Sequence, residues 1–194
     1  MYPQASCQTQ MNEGLIGPGH WYAVYTKHQH EKNAADLLRN RGFEVFLPLL
    51  KETRRWKDRS KQISLPIFPC YLFLRLIEVC KVEILQTPGV FWMVESVGRP
   101  CPIPDWEIEG IRKVAEAGMK IQSHPYLTCG TEVRVSRGSL AGLTGILIRV
   151  KNETRVVVSL KLLQKAVSVE VDRSDLEDVS GQNARALSSR QIRN

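Results

Sequence analysis

The chain has 194 residues, of which 43% are hydrophobic and 24% charged, and carries a formal net charge of +7. That is ordinary globular composition; it excludes a fibrous or disorder-dominated protein and allows one large domain or two small ones. No apolar run approaches the roughly 18 to 20 residues of a membrane span, and the start lacks a charged segment followed by an apolar core, so a soluble, cytoplasmic, unexported protein is expected.

The positive charge is local. Residues 1 to 129 hold 16 cations and 13 anions, residues 130 to 178 hold 8 and 7, and residues 179 to 194 hold 3 and none. A local excess favours contact with a polyanion, although solvated basic faces are common. The five cysteines, Cys7, Cys70, Cys80, Cys101 and Cys129, are odd in number and widely spaced, with no C-x-x-C pair, and are expected to be reduced thiols.

In chain order, residues 1–19 are polar and glycine-bearing and read as a flexible leader. Trp21 to Thr26 (WYAVYT) is β-prone. Thr26 and Gln29 resemble a capping box opening a helix to about Arg41, with Ala34, Leu37 and Leu38 as its apolar stripe and Gly42 as its C-terminal cap. Phe43 to Leu50 reads as a strand. Lys51 to Lys61 (KETRRWKDRSK), with six cations against Glu52 and Asp58, then turns at Asp58-Arg59-Ser60 into a return strand near Gln62 to Leu65.

The stretch Ile67 to Leu76 (IFPCYLFLRL) organises the N-terminal half. After Pro69 it alternates, Tyr71, Phe73 and Arg75 on one side and Leu72, Leu74 and Leu76 on the other, which is a strand with two different apolar faces. Periodicity alone favours ordinary core for its aromatics, while the basic segment beside it points to a nucleoprotein partner. Val79 to Gln86 reads as a short helix stopped before Pro88, and Val90 to Val97 as a strand. Pro102, Pro104 and Asp105 open a helix with Ile108, Ile111 and Ala115 on one face. Glu107 and Glu109, in its first turns, fit the positive end of the helix dipole.

This order suits an antiparallel sheet covered by helices, over residues 20–118. Residues 119–129 lose all pattern and form the best linker candidate. Residues 130–179 carry only short strands split by glycine, which a small barrel satisfies best, with Gly138, Gly142 and Gly145 marking tight turns or bulges. Residues 180–194 read as a disordered basic tail. The fold class is therefore α+β, a helix-flanked antiparallel sheet joined to a small β-barrel.

From residue 20 to 179 the sequence resembles the NusG family of transcription factors. Gly130 to Val150 (GTEVRVSRGSLAGLTGILIRV) is similar to the KOW motif, and it follows the WYAVYT strand, the F-P-x-Y strand opening and the RPCPIPDWEIEGI run in the order of the family's N-terminal (NGN) domain. The resemblance implies a ferredoxin-like NGN domain, an SH3-like KOW barrel, and work done by contact without catalysis or cofactor. It implies docking on the clamp helices of the RNA polymerase largest subunit through Trp21, Tyr25, Phe68, Pro69, Tyr71 and Phe73. It also implies a basic hairpin near upstream or non-template DNA, with Lys27, Arg54, Arg55, Lys57, Arg59 and Lys61 on phosphates and Trp56 stacked on a base.

The resemblance further implies that the barrel recruits a small-subunit ribosomal protein or the termination factor Rho, and that the chain modulates pausing, termination and antitermination; neither domain demands a partner copy, so a monomer is expected. Cys70 stands where the family has glycine, a variation also seen in specialised RfaH-like members. The run VVVSLKLLQKAVSVEV leans the same way, yet Val156 to Val158 favour strands over the helical hairpin such members adopt. The rival from another class is a ribosome-associated KOW protein binding folded RNA; the near-balanced charge of residues 130–178 speaks against it. His28 and His30 lie two apart, point to different sides of a helix and have no acid or cysteine to complete a set, so no metal site is expected and their role is structural or at the surface; a Cys70 nucleophile lacks a base that sequence can place.

Overall fold

The computed structural model describes residues 19–56, 59–119, 121–127, 130–150 and 153–179. The expected basic tail and all but the last residue of the leader lie outside them. The chain forms two compact units that meet between Asp105 and Trp106.

The N-terminal unit runs β1 (His20–Thr26), α1 (Glu31–Asn40), β2 (Glu44–Phe46), β3 (Leu49–Trp56), β4 (Arg59–Pro66), β5 (Tyr71–Leu76), α2 (Lys81–Leu85), β6 (Val90–Met93), β7 (Glu95–Ser96) and β8 (Arg99–Pro100). Its antiparallel sheet has the order β2-β5-β1-β6, with β3 and β4 as a separate hairpin and β7 and β8 as a short ribbon. Because side chains alternate along a strand, one face of β1 and β5 presents Tyr22, Val24, Leu72, Leu74 and Leu76. These pack with Ala34, Ala35 and Leu38 of α1 and Ile84 of α2 into one core. Burying a leucine side chain of this kind stabilises by about 1.5–3 kcal/mol.

Helix α1 starts later than the capping box implies. Thr26 ends β1, Gln29 takes a left-handed φ of 63°, and the cap residue is His30, which makes no side-chain cap bond. The strand hydrogen bond from Thr26 N to the Cys70 carbonyl wins over the local cap. The far end is as expected: Gly42 has φ 86°, and its amide and that of Phe43 bond to the Arg39 and Leu38 carbonyls. Phe43 to Leu50 is two strands, not one, interrupted before Pro48, and the basic segment is itself strand up to Trp56.

The C-terminal unit contains α3 (Asp105–Glu116), whose first residue lies at the boundary, then β9 (Ile121–Pro125), β10 (Thr131–Val135), β11 (Thr144–Val150), β12 (Glu153–Leu160), β13 (Lys165–Glu170), a 3-10 turn (Arg173–Asp175) and β14 (Leu176–Asp178). Its antiparallel sheet has the order β14-β10-β11-β12-β13-β9. Residues 119–129, expected as a linker, thus include a strand paired along β13 from Ile121↔Val169 to Pro125↔Lys165. Backbone pairing needs no apolar pattern, so the polar run IQSHP gave no strand signal.

Residues Arg155 to Val158 are buried on both faces of β12. Helix α3 supplies one cover: a Cβ on Gly110 would stand 3.2 Å from Val158 Cγ1, a contact tight enough that Val158 would have to give by a few tenths of an ångström. Glu107 is buried and accepts a 3.0 Å hydrogen bond from Lys161 N, while Lys113 Nζ donates to the Ala141 carbonyl at 2.9 Å. Its role is therefore more than a favourable dipole: it caps the β12–β13 turn. Burial pushes its carboxyl pKa up, partly offset by the bond from Lys161. Gly138 and Gly142 take φ of 79° and 78°, and a Cβ on Gly145 would collide with the Val157 carbonyl across the ladder.

Cys70 and Cys101 are free thiols, as expected of both.

Candidate docking surface

The second face of the N-terminal sheet is aromatic. The register sets Tyr25 opposite Tyr71, and Phe46 opposite Phe73. Two groups of rings result. Trp21 and Phe46 lie edge to face at 6.2 Å, as do Phe68 and Phe73 at 6.4 Å, and Phe46 and Phe73 lie tilted at 6.0 Å. Beside them, Tyr25 meets Tyr71 edge to face at 5.2 Å and stacks on Trp92 at 4.2 Å with the rings 9° from parallel.

The second group is extended by an irregularity in β6. Tyr25 pairs with Trp92, but Thr26 pairs with Val90, so Phe91 is an extra residue, a bulge. Val90 and Met93 reach the aliphatic core, whereas Phe91 and Trp92 remain outside, 54% and 51% exposed and stacked on each other at 5.9 Å. A pair of half-exposed rings resting on half-buried tyrosines is an apolar patch of the kind that marks an interaction site.

Of the six residues expected to dock, Tyr25 and Tyr71 are half-buried within this patch and Pro69 is exposed next to Cys70. Trp21, Phe68 and Phe73 are buried, at most 2% exposed, and offer no surface here. Trp21 is held by a backbone bridge to Ile103, and the Arg75 guanidinium lies 5.9 Å from its ring centre. Alternation correctly put Phe73 on the face of Tyr71, but which end of that face stays open is a tertiary property. Phe91 and Trp92 went unnoticed because a bulge breaks the period from which facing is read. The adjacent pair FW after a T-P-G turn was the available signal.

Burial pushes the Tyr71 hydroxyl pKa up, helped by the neighbouring Cys70. That of Tyr25 is raised chiefly by its hydrogen bond with the Cys70 side chain. Both tyrosines are therefore neutral near pH 7, as an apolar patch requires.

The β3–β4 hairpin pairs Arg54 with Lys61, Arg55 with Ser60 and Trp56 with Arg59. Lys51 and Lys61 are exposed, as is Lys27 just after β1. Lys57, expected on nucleic acid, lies outside the described residues. Beside His28, Glu31 and Cys70 complete a set of three metal-ligating side chains with donor atoms all within 4.8 Å of one another, against the expectation of no such set. Distance along the chain hid Cys70, which β5 returns to the start of α1.

Fold and surface define a protein that works by contact, a sheet with an aromatic patch followed by a strand-rich module. Residues 19–112 match the family model "Transcription termination factor nusG". The chain is 24% identical over 174 residues to the transcription termination/antitermination protein NusG of Halalkalibacterium halodurans, covering 82% of this chain and 98% of that one. It is 25% identical over 173 residues to the protein of the same name from Pseudomonas aeruginosa, again over 82% and 98%. A solved structure of Thermotoga maritima NusG, concerned with its domain interaction, superimposes with a TM-score of 0.51 at 20% identity, over 86% of this chain and all of that one. Residues 19–112 carry a NusG-family domain, and the chain is similar along most of its length to proteins named for transcription termination and antitermination. No helix among the described residues is long and apolar enough to cross a membrane.

Proposed function

We propose that this chain is a cytoplasmic elongation factor that docks on RNA polymerase, at the clamp helices of the largest subunit, through Tyr25, Tyr71, Phe91 and Trp92, with Pro69 at the margin. The observation that carries this is the exposure of Phe91 and Trp92 over the stacked Tyr25 ring, since monomeric surfaces rarely display such a group without use. The family's termination and antitermination role supports the same reading. The buried rings Trp21, Phe68 and Phe73 set the shape of the face and do not touch the partner.

The β3–β4 hairpin then lies on upstream or non-template DNA, where Arg54, Arg55, Arg59 and Lys61 neutralise phosphates without reading sequence. The near-balanced charge of residues 130–178 supports a protein partner for the C-terminal sheet, a ribosomal protein or Rho, over folded RNA.

A pull-down of core RNA polymerase tests the docking. Trp92→Ala and Tyr71→Ala should each weaken binding by about 2 kcal/mol, roughly 30-fold, with an unchanged circular dichroism spectrum. Wild-type binding by both variants would remove the proposal. For the hairpin, Arg54→Glu, Arg55→Glu and Arg59→Glu together should weaken binding to an elongation complex and flatten its salt dependence. An unaltered salt slope would take the hairpin off nucleic acid.

A further inference from the structure

We infer that His28, Glu31 and Cys70 form a binding site for a thiophilic divalent cation of the zinc class, at the edge of the aromatic patch. The three donors are those that such an ion prefers, a thiolate, an imidazole and a carboxylate. Cys70 Sγ and His28 Nδ1 stand 3.7 Å apart. An ion at 2.3 Å from sulfur and about 2.05 Å from nitrogen, in tetrahedral geometry, holds those two donors about 3.6 Å apart. Two of the three ligands therefore already have the spacing of a coordinated pair.

The third ligand is fixed by the fold. Glu31 opens α1 and is 3% exposed, and its Oε1 accepts a 2.8 Å hydrogen bond from Cys70 N. That bond ties the carboxylate to the backbone of the residue that brings the thiol. A carboxylate withdrawn from water gains from a cation beside it. All three donor atoms lie within 4.8 Å of one another, and the His28 side chain is exposed.

The backbone is consistent with a side chain held for a purpose. Cys70 takes φ 68°, in the left-handed region that disfavours any residue with a Cβ, between Pro69 and the start of β5. Glycine would meet this conformation without strain; the cysteine that stands there instead delivers sulfur to His28 and to the Tyr25 hydroxyl. Three protein ligands leave a fourth position for water or for a group from outside, in the manner of open zinc sites.

Cobalt(II) titration of the full-length, tag-free chain, reduced with a phosphine, tests the site. One equivalent should bind with the near-ultraviolet thiolate charge-transfer band and the strong visible bands of tetrahedral cobalt, and added zinc should bleach both. Cys70→Gly, which relieves the left-handed φ and keeps the fold by circular dichroism, should abolish the charge-transfer band. His28→Ala should weaken binding by more than the roughly 10- to 100-fold that loss of an outer-sphere partner brings. Absence of a thiolate band in the wild type, or an identical band in Cys70→Gly arising from the other cysteines, overturns the assignment.

Discussion

Leu72, Leu74 and Leu76 leave β5 on one side and Tyr71, Phe73 and Arg75 on the other, and the two sides meet different fates. The leucine side is closed by α1 and α2 of the same unit. The aromatic side grades from buried rings, Trp21, Phe68 and Phe73, to half-exposed ones at Phe91 and Trp92. A strand's alternation thus tells which residues share a face, while the exposure of that face is decided by what the topology brings over it. Stability is concentrated on the first face and binding on the open end of the second.

That division can be broken most directly from the aliphatic side. Leu74→Ala should lower unfolding free energy by about 2–5 kcal/mol in urea melts, because the residue is fully buried in the core that the sheet forms with both helices. A loss below 1 kcal/mol would mean the leucine face is not the core. Trp92→Ala should cost less than Leu74→Ala, about 1–2 kcal/mol in the same melts, half its surface being in water already. A core-sized loss there would make Trp92 a structural residue and sink the contrast.

Much of this contrast was legible in the residues. The facing of Tyr71, Phe73 and the three leucines, the Gly42 cap and the strands from Thr131 onward all follow from local period or local backbone freedom. What stayed hidden depended on contacts far apart in sequence. The bulge that exposes Phe91 and Trp92 exists only in pairing with β1. The link from Cys70 to Glu31 spans 39 residues, and Glu107 answers the Lys161 turn 54 residues away. Polarity misled at Ile121–Pro125, where the pairing to β13 is made by the backbone.

The covering of β12 by α3 offers a third, smaller test of how a sheet face is closed. Glu107 has its pKa raised by burial, so the folded state favours its protonated form. Its contribution is therefore fully present below the unfolded carboxyl pKa of about 4.3 and is lost as pH rises through the higher folded value. Glu107→Gln keeps an acceptor for Lys161 N and removes the charge. Urea melts across this range should show the wild type losing stability relative to the Gln variant as pH rises toward neutrality. A constant difference would mean that Glu107 is not desolvated.

Site-specific photocrosslinking from position 91 in an assembled elongation complex tests the docking claim most directly. The account predicts a crosslink to the largest polymerase subunit, mapping to its clamp helices, with none from the same probe placed at Val82 on α2. Efficient binding with no crosslink from position 91, or crosslinks from position 82 instead, would contradict it.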